Sequence, residues 1–204
     1  MKLVYIHGAN ATSDSFNYIR EHIGGDDLVL NYASSAGFEN NLQQLATELS
    51  DHVQMFFIAH SLGGVYALHL ANIMPGQVLG AVTLSTPYGG VCEADFAKYF
   101  MPFNRLMRDI GPASWPMRRA ADMQITHPWC NIISTRGAVP WISGPNDGVV
   151  TLESQRDHHH DMDIIDVAFN HYEILLNQRV VRIIKQRIRQ ITGPARTTRT
   201  RLGP

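Results

Sequence analysis

Apolar and polar positions along the chain fall into two alternating rhythms. Short, nearly continuous apolar runs occupy KLVYIH (2–7), DLVLNYA (27–33), MFFIAH (55–60), VLGAVTLS (78–85), CNIIST (130–135) and DMDIIDVAF (161–169). Their length and their β-branched and aromatic content predict strands, most of them too continuous for a half-exposed face. Between them the apolar positions recur at threes and fours. SDSFNYIREHI (13–23) opens on Ser13 as a candidate cap, NNLQQLATELS (40–50) spaces Leu42, Leu45 and Leu49, and LGGVYALHLANIM (62–74) stops at Pro75-Gly76. A last helix is predicted over 172–191, with Ile174, Val180, Ile183, Ile184 and Ile188 on one side. Arg179, Arg182, Lys185, Arg187 and Arg189 take its other side, a basic face of the kind that is usually just solvated. Strands alternating with helices predict an α/β fold, a three-layer sandwich whose mostly parallel sheet is covered on both faces.

Two segments break the rhythm. Residues 91–128 read VCEADFAKYFMPFNRLMRDIGPASWPMRRAADMQITHP, with Met, Phe and Trp set among prolines and charges. This is too long for an ordinary connection in a compact domain, so it is either a functional insertion or a small helical cap. Residues 193–204, GPARTTRTRLGP, hold Arg196, Arg199 and Arg201 with no acid and read as a flexible basic tail. The rest, 1–192, reads as one domain.

Composition narrows the picture further. The 204 residues are 45% hydrophobic and 17% charged, as expected for one globular domain with a sizeable core. A formal net charge of −1 gives no reason to expect nucleic acid or an anionic membrane as partner. No stretch approaches the roughly 20 apolar residues of a membrane span, so no stable membrane insertion is expected. The opening MKLVYIHGAN lacks the long apolar region of a signal peptide, which points to the cytoplasm. Cys92 and Cys130 are too few for a disulfide framework; they read as two free thiols, although a bridge across the base of 91–128 is the alternative. The run RDHHHDMD (156–163) invites a metal reading, but consecutive histidines point apart and cannot all face one ion. An exposed polar loop is expected there, and no metal.

The chemistry concentrates in FFIAHSLGG (56–64). Here an apolar strand meets an amphipathic helix through a polar serine flanked by small residues. Ala59, Ser61 and Gly63 occupy the G-x-S-x-G positions, with alanine in the first. A serine at the tip of a sharp strand-to-helix turn is exposed, and the small neighbours let the backbone turn tightly. The helix dipole points at it, and the Leu62 N–H is placed to meet a developing oxyanion. A plain helix N-cap serine is the competing reading.

With that strand and helix around it, FFIAHSLGG resembles the nucleophile elbow of the α/β-hydrolase superfamily, in particular its small lipase- and esterase-like members. The resemblance extends from Val4 to about Leu176. It implies a reduced sheet of about six strands, because the two strands that open larger members are absent. VYIHGAN (4–10) is similar to the family's H-G loop, implying that the Ala9 N–H is a second oxyanion donor with Asn10 as helper. TLSTPYGG (83–90) resembles a loop that rims the active site and brings in Tyr88. The family's chain order of serine, acid and histidine implies His171, just after the last strand, as base, with His158, His159 and His160 as alternatives. It implies Asp147 of GPNDGVV as acid, with Asp157, Asp161 and Asp163 held in reserve.

The expectation is a serine hydrolase of carboxylic esters, extending to lipid acyl esters, that needs no cofactor and acts on a small molecule. The same machinery would serve a thioesterase or amidase, and a non-catalytic ligand-binding relative is the alternative from a different class. Phe100 and Phe103 are expected to line an apolar acyl pocket contributed by 91–128, unless that segment is packed permanently against the core. Nothing in the sequence indicates the oligomeric state.

Overall fold

A computed structural model describes residues 1–92, 109–158 and 160–193. Six strands form one parallel sheet: β1 (Lys2–Ile6), β2 (Asp27–Leu30), β3 (Met55–His60), β4 (Val78–Leu84), β5 (Trp129–Ser134) and β6 (Asp163–Val167). Their order is β2-β1-β3-β4-β5-β6, with every neighbouring pair parallel. Among the described residues six helices accompany them: α1 (Asn17–Ile23), α2 (Phe38–Leu49), α3 (Leu62–Ile73), α4 (Trp115–Ala121), α5 (Leu152–Arg156) and α6 (Gln178–Thr192).

Side-chain alternation along the strands builds two cores. Val4, Ile6, Met55, Phe57 and Ala59 face a layer containing α2, α3 and α4, packed with Leu42, Leu45, Leu49, Val65 and Met117. Leu3, Tyr5, Phe56, Ile58, Val82 and Ile132 face the opposite layer, where α1 and α6 supply Ile19, Val180, Val181 and Ile184. Successive strand residues point to opposite faces, so a strand buried on both sides must be apolar throughout. All six residues of β3 are buried accordingly, whereas β6 at the sheet edge is only half buried. The three-layer architecture expected from the sequence is the one observed.

Local boundaries differ in informative ways. Ser13 does not cap α1; it starts a 3₁₀ turn, Ser13–Phe16, and α1 follows at Asn17. The last helix starts at Gln178 rather than 172, because the Asn177 side chain accepts the Arg179 N–H at 2.8 Å and caps it there. Glu173–Leu176 before it is a 3₁₀ turn that buries Ile174. Ile110, Met117, Ala120 and Met123 from 109–128 join the core under α3, while Trp115 is exposed. Phe100, Phe103 and the neighbouring aromatic residues lie outside the described residues. Cys92 is exposed and Cys130 buried in β5, both as free thiols, and burial pushes the Cys130 thiol up to about 11. Among the described residues no helix is long and apolar enough to cross a membrane, and no three His, Cys, Asp or Glu side chains gather as a metal site.

The sheet order reverses direction between β1 and β3. Chains leaving these neighbouring strands at their carboxyl ends run to opposite faces and open a crevice there. The loop after β1 and the turn after β3 both enter that crevice.

Candidate active site

Ser61 follows the last residue of β3 and immediately precedes α3. Its backbone has φ 52° and ψ −126°, a left-handed conformation that a non-glycine residue adopts only under tertiary constraint. A capping serine is ordinarily extended and bonds an N–H of the first turn; the Ser61 side chain makes no such bond. The turn is held by the Ser61 N–H, which donates to the Leu84 carbonyl at the end of β4 at 2.8 Å. Its tightness depends on the following glycine. A Cβ on Gly63 would lie 2.1 Å from the Ile6 carbonyl oxygen and 2.6 Å from that of His7. The start of α3 therefore abuts the backbone of β1, and Ser61 stays just accessible at 9% exposure.

The loop after β1 presses on the serine from the other side. A Cβ on Gly8 would sit 3.1 Å from the Ser61 Cβ. The loop is shaped from beneath by His7, whose Nδ1 meets the Gly8 carbonyl at 2.8 Å and therefore carries the proton. The Tyr32 ring stacks on His7 at 4.3 Å, and its hydroxyl donates to the His7 carbonyl. Burial lowers the His7 pKa, which keeps this prop neutral. Asn10, expected as a helper, is exposed at φ 53° with its N–H donating to Ser34 Oγ at 2.9 Å. Ala9 is partly buried between them. Leu62 opens α3, where a first-turn N–H has no intrahelical acceptor.

Asp147 and His171 are brought together across the far side. His171 Nδ1 lies 2.7 Å from Asp147 Oδ2, with side-chain exposures of 3% and 0%. The main chains are joined as well, the His171 N–H donating to the Asp147 carbonyl at 3.0 Å. Asp147 Oδ1 accepts the N–H groups of Val149 and Val150 at 2.9 and 2.7 Å. Oδ2 also accepts the Ser134 hydroxyl and Gln155 Nε2. Burial by itself would raise the Asp147 pKa, but the charge and hydrogen bond of His171, with Ser134 and the Val150 N–H, hold it below its usual value. A carboxylate on imidazole Nδ1 fixes the tautomer whose Nε2 lone pair can accept a proton. The reserve acids are occupied elsewhere or exposed: Asp163 pairs with Arg187, Asp157 accepts the His158 N–H, and Asp161 is on the surface.

The histidine also reaches the elbow. His60, the residue before Ser61, places Nε2 2.8 Å from the His171 carbonyl oxygen, and their rings are 4.8 Å apart. Tyr88, expected at the substrate-facing rim, turns inward instead. It is 1% exposed, with its hydroxyl donating to Thr83 and accepting the Trp129 indole N–H at 2.8 Å. This satisfied hydroxyl braces β4 against β5.

Several residues of the site carried no sequence signal. Ser134 spends its single proton on Asp147, so Ser85, 2.6 Å away, must be its donor. Gln155 accepts the Ser134 N–H on Oε1 while its Nε2 donates to the acid. Gly137 lies so close under the acid turn that a Cβ there would be 2.2 Å from the Asp147 carbonyl carbon.

The parallel six-stranded sheet, with a strained serine at its switch point, defines the class: this is the α/β-hydrolase fold. No protein-family model matches the sequence, and neither does any curated protein sequence. Solved structures match along nearly the whole chain. The mature form of Bacillus licheniformis lipase BlEst2 superposes with a TM-score of 0.73 at 17% identity, covering 91% of each chain. A lipase-esterase related protein from Clostridium acetobutylicum gives 0.66 at 12% identity, covering 93% of both chains. An extracellular α/β-hydrolase from a Paenibacillus species gives 0.62 at 15%, covering 94% of this chain and 98% of that one.

Proposed function

We propose that the protein is a serine hydrolase that cleaves carboxylic esters through an acyl-enzyme. Ser61 Oγ attacks the ester carbonyl while His171 Nε2 takes its proton. The negative charge that develops on the carbonyl oxygen is met by the N–H groups of Ala9 and Leu62. His171 then delivers the proton to the departing alcohol oxygen, leaving the acyl group on Ser61. Water then attacks the acyl carbon and loses a proton to His171, which passes it to Ser61 Oγ as the acyl–Oγ bond breaks and the acid leaves. Asp147 orients the ring and stabilises the imidazolium formed in each half-reaction. The balance needs no cofactor.

The observation that carries this reading is the buried Asp147–His171 pair, with the His171 main chain bonded to the residue before a strained Ser61. Two structural neighbours, a lipase and a lipase-esterase related protein, agree with ester chemistry. Phe100 and Phe103 are the proposed apolar contacts for the acyl chain. A fluorophosphonate probe should label the wild type at Ser61, and p-nitrophenyl esters should be turned over by the wild type and not by Ser61→Ala. If the acyl wall is apolar, kcat/KM should rise severalfold for every two added carbons, since each methylene contributes up to ~0.8 kcal/mol. Labelling of another serine in Ser61→Ala would overturn the assignment. Faster turnover of matched thioesters or amides than of esters would move the substrate class.

A further inference from the structure

We propose that His60 is a positioning residue for the base: its Nε2–H, bonded to the main-chain carbonyl of His171, holds that backbone where its ring can serve Ser61. The inference rests on the Ser61–His171–Asp147 reading above and adds a residue that does not touch the substrate. His171 is pinned at both ends of its peptide unit. Its N–H donates to the Asp147 carbonyl at 3.0 Å, and its C=O receives His60 Nε2 at 2.8 Å. A carbonyl can only accept, so the His60 proton resides on Nε2 and the Nδ1 lone pair points elsewhere.

That Nδ1 is buried without a partner. It faces the loop after β1, where a Cβ on Gly8 would come within 3.1 Å of it and equally close to the Ser61 Cβ. One ring therefore touches the base, the H-G loop and, through the chain, the nucleophile. A residue serving the core alone would resemble its neighbours Phe57 and Ile58, which are apolar and fully buried. A polar ring with one nitrogen unsatisfied carries a desolvation cost that an apolar side chain would avoid. The polar group is accounted for by the bond it makes across 111 residues of sequence. Burial, followed by the charge of His171, pushes His60 down to about 3, so it stays neutral and does not oppose an imidazolium at His171.

Two variants and one measurement on the wild type test this. His60→Gln keeps an N–H donor at the same distance along the side chain, and His60→Leu removes it. Misplacing a reacting group by about 1 Å can cost 10²-fold, so His60→Leu should lower kcat and the fluorophosphonate labelling rate about tenfold to a hundredfold, with KM unchanged. His60→Gln should recover most of the loss. Circular dichroism and thermal unfolding establish that each variant is folded. ¹⁵N-histidine NMR of the wild type, assigned by the signal lost in His60→Gln, should show a neutral ring protonated on Nε2. A folded His60→Leu labelled at the wild-type rate overturns the inference while leaving the proposed hydrolase intact. If the leucine variant does not fold, the NMR experiment decides, because a ring protonated on Nδ1 cannot donate to His171. A wild type that takes no label overturns the hydrolase reading and this inference with it.

Discussion

Gly63 and Gly76 should respond differently to alanine. A Cβ on Gly63 would lie 2.1 Å from the Ile6 oxygen, 2.6 Å from the His7 oxygen and 2.8 Å from the Ile6 carbonyl carbon. These are backbone atoms, so no side chain can rotate away, and β1 and α3 must separate by about 1 Å to restore ordinary contact. Overpacking of this kind costs about 1–3 kcal/mol, and each kcal/mol lowers Tm by about 2–4 °C in a chain of this size. The larger effect falls on chemistry. The displaced backbone leads directly into Gly8 and Ala9, so the proposed oxyanion donor would move away from Ser61. Losing one such donor costs about 10²–10³ in kcat. Gly63→Ala should therefore show a modest fall in Tm and a disproportionate fall in p-nitrophenyl ester turnover and probe labelling. Gly76→Ala is the control, because a Cβ there has nothing within 4 Å. Its Tm and turnover should match the wild type. A Gly63→Ala protein with wild-type Tm and kcat would refute the claim that this contact sets the site.

The proposed acid and base should both show large losses: His171→Ala should lower kcat by several orders of magnitude, and Asp147→Asn by about 10⁴, with the ring held in the wrong tautomer. Steady-state turnover against verified folding checks both, and full activity in His171→Ala would put the base elsewhere. Gln155→Ala or Ser134→Ala removes one bond to the Asp147 carboxylate, worth about 1.5–3 kcal/mol in a urea titration. Because those donors favour the ionised acid, either loss should also raise the pH at which activity fails on the acid side. Stability should itself fall with acid through His60. Its folded pKa of about 3 lies below the ordinary imidazole value of 6.5, so only the unfolded chain gains a proton in that window. Stability contributed by the neutral ring is complete above pH 6.5 and declines towards about 3, at about 1.4 kcal/mol per pH unit. Urea midpoints from pH 7 to 4 measure this, and a slope unchanged in His60→Gln would contradict it.

What the sequence determined by itself was the local order of the molecule. Strand and helix periodicities are set by side chains a few residues apart, so all six strands and α3 were legible, as was the serine between them. The small residues of AHSLGG permit the tight strand-to-helix turn that the serine occupies. Residues near a predicted boundary were less legible, because a single cap such as Asn177 moves a helix start that periodicity leaves open. Tertiary structure alone decided which polar groups share the buried space at the carboxyl ends of the strands. Asp147 could be distinguished from Asp157, Asp161 and Asp163 only by the resemblance, and the structure distinguishes it by its contact with His171. Ser134, Gln155 and the inward turn of Tyr88 had no pattern to reveal them, since each satisfies a partner whose position the sheet register dictates. The His60–His171 bond spans 111 residues, and no local rhythm encodes such a distance. It exists because parallel strands end at one edge of the sheet, where burial makes any polar atom without a partner costly.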